Sequence, residues 1–350
     1  MGRGLSLPMV FSERGCHHMT SIPRTANQVI NTGRKSKFAK IMGSQWQLML
    51  MSIPMLLYVL LFNYAPLWGW VNAFKDYSNK NAFSTGNAPW FGWGNFAQLF
   101  RDNSVTVDGR MGLWNDFGYA IRNTFAMSLI NLVFGTVSSI LLAVLLNEIR
   151  SKSFKRTVQT VTYLPHFLSM IVVVSMAQNI FSTNGPLNRF LVSTGLIKEE
   201  IFWLGDKRYF WWLVGIINVW KEVGWNTIIY ISAMTSIDPC LHEAAAIDGA
   251  GRLQRILHVT LPGIKSTFVI LLIMNIGHLL EAGFEIQYLL GRGVVYDVAS
   301  TIDIFVLKYG TEKLDIGVAT AAGMFKSVVA IVLLVIANMV AKALDEDTLI

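Results

Sequence analysis

Six stretches of this chain are apolar over lengths that suit a bilayer crossing, for which about 20 residues are needed. They lie near 48–68, 121–146, 158–181, 210–235, 267–290 and 316–341. Pro54 falls inside the first, a placement that membrane helices tolerate and at which they can kink, and Pro165 lies near the start of the third. Three of the runs carry polar breaks. In the fourth, Lys221 and Glu222 sit between Trp220 and Trp225. Adjacent residues do not face each other on a helix, so the two are expected to reach different surroundings, one a neighbouring helix and the other a wet cavity. A charge pair at that depth is costly unless paired or solvated, and marks a candidate functional site.

In the fifth run Asn275, His278, Glu281 and Glu285 recur at spacings of three, three and four, which predicts a single polar helical face. Ile273, Ile276, Leu280 and Phe284 fill the opposite side. Such a stripe turns toward the protein interior or an aqueous passage; for Glu281 and Glu285 the outer headgroup zone is the alternative. The sixth run opens with Ala319–Gly323, small residues suited to close helix contact. Lys326 follows inside it, with Glu222 as one candidate partner. These observations predict an all-α polytopic membrane protein.

The polar stretches between the runs divide the chain further. Residues 1–45 read as a cytosolic arm, with Arg34, Lys35, Lys37 and Lys40 close to the first span. Residues 46–341 hold the spans, and 342–350 form a cytosolic tail. The outer loop after the first span carries Phe74, Trp90, Trp93 and Phe96. These rings suit interfacial anchoring or sugar stacking, and the loop is the expected surface for a binding protein. Lys and Arg are denser in 34–40, 148–159 and 236–265 than in the remaining loops, which puts those segments and both termini in the cytosol.

Residues 238–264 are a different kind of connection. Asp238-Pro239 is a helix start, an acidic cap before a residue suited to the first turn. Gly249 supplies a left-handed or closely approached backbone position. Leu253, Ile256, Leu257 and Val259 then line one side of a second short helix, which Pro262 and Gly263 end. Two amphipathic helices joined at a glycine corner present a rigid surface to another protein.

Composition agrees with the pattern. Hydrophobic residues make up 53% and charged residues 15%, against about 25% charged in soluble domains, and the mean hydropathy is +0.45. The net charge of +7 is placed beside the apolar runs, as topology requires, and does not point to nucleic acid. Cys16 and Cys240 are the only cysteines and do not suggest a disulfide framework. Cys16-His17-His18 lacks a fourth metal ligand and reads as a surface tail. The chain has no G-x-x-x-x-G-K-[ST] loop, no H-E-x-x-H pair and no cysteine cluster.

The segment 238–264 resembles the EAA loop of the membrane-spanning subunits of bacterial ABC importers, through Glu243, Ala244, Ala245, Asp248, Gly249, Val259, Leu261 and Pro262. Ile256 stands where many relatives carry Phe at the coupling surface. The stretches 155–166 and 220–225, with Ile302-Asp303, are similar to the polysaccharide and oligosaccharide branch of the maltose-type permeases. That branch is typified by lipoprotein and rhamnogalacturonan-type permeases and includes the first permease subunit of bacterial alginate importers.

The resemblance implies a type I ABC importer permease fold of six spans with a cytosolic coupling helix, in the bacterial inner membrane. It implies coupling to an ATPase dimer through Glu243, Ala244, Ala245, Asp248, Gly249, Ile256, Leu261 and Pro262. The other implied partners are a second homologous permease, an extracytoplasmic binding protein and an oligosaccharide. ATP and Mg would sit on the ATPase, with no cofactor on this chain. The polar intramembrane residues Asn275, His278, Glu281, Glu285, Lys221, Glu222 and Lys326 are the candidate substrate pathway. Lys221 and Lys326 suit an acidic glycan such as an alginate fragment, and the interior glutamates weigh against simple charge selection. The alternatives are an ABC permease for a non-sugar solute and an ion-coupled secondary transporter, which would leave the coupling motif without a purpose.

Overall fold

The computed structural model describes residues 46–77, 88–107 and 110–344; the expected arm at 1–45 and most of the tail at 342–350 lie outside them. The chain divides into two compact units, 1–66 and 67–350. In the first, α1 (Trp46–Val59) accommodates Pro54 within the helix and runs into a π-helical turn, Leu60–Tyr64. Its apolar side chains are exposed, as they would be toward lipid.

In the second unit the described residues after the first apolar run form short elements. After the 3₁₀ stretch Ala65–Phe74 come α2 (Gly94–Phe100) and a two-residue antiparallel hairpin, β1 (Thr106–Val107) with β2 (Arg110–Met111). That hairpin, two residues to a strand, is a local turn within an α-helical fold. Asn95, fully buried, donates its amide to the carbonyls of Ala73 (2.9 Å) and Lys75 (2.8 Å), tying α2 beneath the loop. Phe74 stacks on Trp90 at 5.6 Å and meets Trp93 edge-on at 5.3 Å.

The frame is a pair of long helices, α3 (Trp114–Glu148) and α7 (Lys207–Thr235), packed along their lengths. Between them in sequence lie α4 (Lys152–Tyr163), a 3₁₀ turn Leu164–Phe167, α5 (Met170–Ile180) and α6 (Pro186–Ser193). The third apolar run is therefore not one straight helix, because the backbone bends by 103° between Lys152–Phe167 and Met170–Ile180, just after the turn that holds Pro165. Val173, Val174 and Ala177 of α5 bury against Phe210, Val214 and Ile217 of α7. Close approach of α4 to α7 depends on Gly224, where a Cβ would lie 2.0 Å from the Thr162 carbonyl oxygen.

After α7 come α8 (Pro239–Ile247), α9 (Arg252–Arg255), a π turn Ile256–Thr260, α10 (Leu261–Gly263) and α11 (Lys265–Gly277). The fifth run breaks as well. Its helix stops at His278, passes Gly283 at φ +86°, and restarts as α12 (Phe284–Leu290). The single polar face is thus replaced by a helix end, a turn and a new helix, since Gly277 and Gly283 weaken the helix where the pattern required it to continue. The stretch 291–315, between the fifth and sixth runs, contains α13 (Tyr296–Ala299), α14 (Ile302–Leu307) and a π turn, Lys308–Glu312. It is part of the core: Ile302, Phe305 and Tyr309 pack on Phe117 and on Val318, Ala319, Ala321 and Ala322 of α15 (Ile316–Ala343).

Among the described residues three helical runs are long and apolar enough to cross a membrane, Trp46–Phe74, Trp114–Glu148 and Ile316–Ala343. The bent pairs Lys152–Phe167 with Met170–Ile180, and Arg252–Gly263 with Lys265–Gly277, raise the number to five if each is one span. The 29 residues of α7 give it a length of about 43 Å, and it is left out of that set by its composition around Lys221 and Glu222. The architecture is a polytopic α-helical membrane protein.

Candidate coupling surface and polar cavity

The segment 238–264 is capped at each joint by its own residues. The Asp238 carboxylate accepts from the Cys240 amide (2.9 Å) and Pro239 occupies the first turn of α8. At the other end the Gly249 amide donates to Ala246 (3.2 Å) and the Ala250 amide to Ala245 (2.9 Å). This is a Schellman cap, whose left-handed residue is Gly249 at φ +80°. Gly251 then starts α9, with its amide held by the Gln254 side chain at 2.7 Å.

Only the roots of this corner are buried. Ile264 packs with Ala143, Tyr230 and Met234, while Ile247 is 87% and Leu253 69% exposed, joined by Leu241 and Leu257. Glu243, Ala244, Asp248, Gly249 and Pro262 are exposed; Ala245, Ile256 and Leu261 are half-buried. A rigid element that leaves several large apolar side chains in the open is built for contact with something else.

Between α3, α7 and α11 lies a polar cavity of about 370 Å³. Ser128, Asn131 and Ser139 line it from α3, Asn226 from α7, and Asn275, His278 and Glu281 from the end of the fifth run. A second cavity of about 220 Å³ shares Asn131, Asn226 and Glu281, and adds Asn218 and Glu222. Asn275, His278, Glu281 and Glu222 are therefore brought together although they are not on one helix. The Ser128 hydroxyl and the Asn131 amide oxygen are buried without a hydrogen-bond partner, an expensive arrangement that a polar ligand would relieve. Asn131, Asn218 and Asn226 were missed in the sequence; the usable signal was an amide within an apolar run.

The charge pair of α7 takes a form that its spacing did not suggest. Lys221, 8% exposed, donates to the His166 carbonyl (2.9 Å) and to Glu222 itself (3.0 Å). Its long side chain folds back, so these neighbours do pair. The second Glu222 oxygen meets His166 Nδ1 at 2.8 Å, and the His166 ring stacks on Trp225 at 4.4 Å. The bend of the third run is thus pinned to α7 beside the second cavity. Lys326 pairs with Asp303 at 2.7 Å, not with Glu222. Lys326 and Glu285 line neither cavity. Among the described residues no group of three or more His, Cys, Asp or Glu side chains could hold a metal ion.

Residues 135–347 match the family described as binding-protein-dependent transport system inner membrane component. This chain belongs to that family. It is an ABC importer permease, the non-catalytic membrane component of its system, multi-pass in the inner membrane. The permease is 37% identical to protein LplB of Bacillus subtilis (strain 168) over 95% of this chain and 100% of that protein. It is 39% identical to the polygalacturonan/rhamnogalacturonan transport system permease protein YteP of the same organism, over 90% and 93%. A solved bacterial ABC transporter involved in the import of the acidic polysaccharide alginate has a chain with TM-score 0.76 and 34% identity, covering 88% of this permease and 99% of that chain. A second, of bacterial alginate ABC transporter in complex with alginate pentasaccharide-bound periplasmic protein, gives TM-score 0.78 at 33% identity, over 89% and 100%.

Proposed function

We propose that this permease carries oligosaccharides, acidic ones among them, across the inner membrane, and that the corner at 238–264 is where ATP-driven motion enters it. The observation that carries the reading is that corner, capped at each joint yet open along an apolar face. A cytosolic ATPase groove would receive Glu243, Ala244, Ala245, Asp248, Gly249, Ile256, Leu261 and Pro262. Closure of the ATPase dimer on ATP and Mg would push on the roots at Ile237 and Ile264 and so on α7 and α11. The walls of the polar cavity belong to those two helices and α3, so such a push changes its shape.

In this account six spans come from the Trp46–Phe74 run, α3, α4 with α5, α7, α11 with α12, and α15. Both termini then lie in the cytosol and the 291–315 stretch outside. A loaded binding protein delivers sugar from that side, and a second, homologous permease supplies the rest of the passage. Amides at Asn131, Asn218, Asn226 and Asn275 suit hydroxyl recognition, since each offers a donor and an acceptor. The sugar assignment is supported by the polygalacturonan, rhamnogalacturonan and alginate systems to which the chain is similar.

The test is purification of the tagged chain from its host's detergent-solubilised membranes. Co-purification of a cytosolic ATPase, a second permease and a binding protein is expected, with an oligosaccharide as the binding protein's ligand. A folded chain that comes down alone would overturn the reading.

A further inference from the structure

Away from the polar cavity, with no lining residue in common, lies a separate cavity of about 390 Å³ lined by Tyr288, Arg292, Tyr296 and Lys308 together with Gln287 and Glu312. Its place in the fold follows from Lys207, the first residue of α7, which pairs with Asp297 at 2.7 Å. The coupling corner leaves the opposite end of the same helix, so the cavity lies at the far end of the molecule from it.

The volume falls within the roughly 300–1,000 Å³ of small-molecule sites. The Arg292 guanidinium lies 5.4 Å from the centre of the Tyr288 ring, and the Lys308 ammonium 4.9 Å from that of Tyr296. Two rings and two cations are thereby held at one opening. Lys308 also meets Asp116 at 3.5 Å. Burial works against its charge, but Tyr296 and Asp116 outweigh that effect and hold its pKa above the usual lysine value. Arg292, by contrast, is exposed and has no carboxylate within ion-pair distance among the described residues. Gln287 is fully buried in the wall, and its amide oxygen has no hydrogen-bond partner.

We infer that this cavity is a receiving subsite for a carboxylate-bearing sugar, a uronate unit, at the extracytoplasmic mouth. The inference rests on the importer reading above and adds to it a site that selects for charge. Arg292 takes the carboxylate in its planar fork, which matches that group's geometry. Tyr296 offers its ring to the sugar's C–H bonds, Tyr288, stacked on Phe284 and faced by Arg292, holds the guanidinium in place, and Lys308 adds a second positive charge. The Glu312 carboxylate, on the same wall, repels a second acidic unit and favours one carboxylate at a time.

The experiment uses the whole complex in proteoliposomes, with binding protein outside and ATP inside, and compares tetragalacturonate with its carboxyl-reduced counterpart. Direct binding of both sugars to the detergent-solubilised complex without binding protein is measured alongside. The wild type is expected to bind the acidic sugar at least tenfold more tightly. Arg292→Gln should raise the Kd and KM for that sugar about tenfold, leave the reduced sugar unchanged and keep the ATPase rate, while Arg292→Lys recovers part of the loss. Lys308→Gln should act in the same direction, with its thermal stability checked because Asp116 loses a partner. Unchanged discrimination in Arg292→Gln, or an equal loss for both sugars, would overturn the subsite while ATP-driven uptake kept the importer reading intact. A wild-type complex that accumulates neither sugar would overturn both.

Discussion

Substitution of Gly249 tests the coupling corner with little structural ambiguity. Gly249 has φ +80°, and a Cβ built there meets nothing within 4 Å. Gly249→Ala therefore introduces no clash, and its cost is that of holding an L-residue in the left-handed region, about 1–2 kcal/mol. At 1.4 kcal/mol per decade, that is about a 5- to 30-fold fall in the equilibrium constant favouring the corner that carries Glu243 and Leu253 in fixed relation, which sets the upper limit of the loss in partner affinity. The cap bonds to Ala245 and Ala246 are local, so the membrane core should fold normally. The assay titrates the purified ATPase into nanodiscs holding the permease pair, and counts ATP consumed per sugar taken up. Gly249→Ala should weaken ATPase binding within that range and raise the ATP cost per sugar. Gly249→Asn should do less harm, because asparagine enters the left-handed region more readily. Unchanged ATPase affinity and normal coupling in Gly249→Ala, or equal damage from Ala and Asn, would refute the reasoning.

Other substitutions probe separate parts of the account. Glu243→Ala should impair coupling and leave insertion and the thermal midpoint unchanged, read by uptake against ATP hydrolysis. Asn131→Ala and Asn226→Ala should raise the KM for sugar and leave ATPase recruitment unaltered; a loss of recruitment instead would move these residues to a subunit interface. Gly224→Ala drives a methyl into the Thr162 carbonyl and should lower the folded yield, measured by size-exclusion profile and thermal midpoint. Lys326→Met strands Asp303, and removal of one member of a buried pair costs about 3–5 kcal/mol; these two are only partly buried, so a smaller drop is expected. Lys326→Met with Asp303→Leu should regain part of that midpoint.

The second, fourth and sixth apolar runs were legible almost to their ends, as α3, α7 and α15. Asp315 caps α15, and its helix covers the run expected at 316–341, because nothing within it competes with helix in lipid. The corner at 238–264 was legible for the same kind of reason: Asp238-Pro239 and Gly249 act on their own backbone, within a few residues. What could not be read was anything that depends on contact across the fold. The third run reads as one continuous span, whereas the chain bends after Phe167, beside the place where His166 meets Lys221 and Glu222 of α7. Polar spacing from Asn275 to Glu285 implied one helix face, while Gly277 and Gly283 ended that helix. Lys326 had several candidate acids, and only packing of α14 on α15 selects Asp303. Asn131 lies eight residues from Asn123 and from Ser139 on α3, and Asn226 eight from Asn218 on α7, but this spacing gains meaning only when the two helices place these side chains around the cavities.

The most direct test of the central claim, that this permease turns ATP hydrolysis by a partner docked at the corner into sugar import, is uptake by the complete complex in proteoliposomes with the energy source varied. Accumulation of labelled oligosaccharide is predicted only with binding protein outside and hydrolysable ATP inside, and it should fall sharply with Glu243→Ala. Accumulation driven by an ion gradient without ATP, and indifferent to Glu243, would contradict the account.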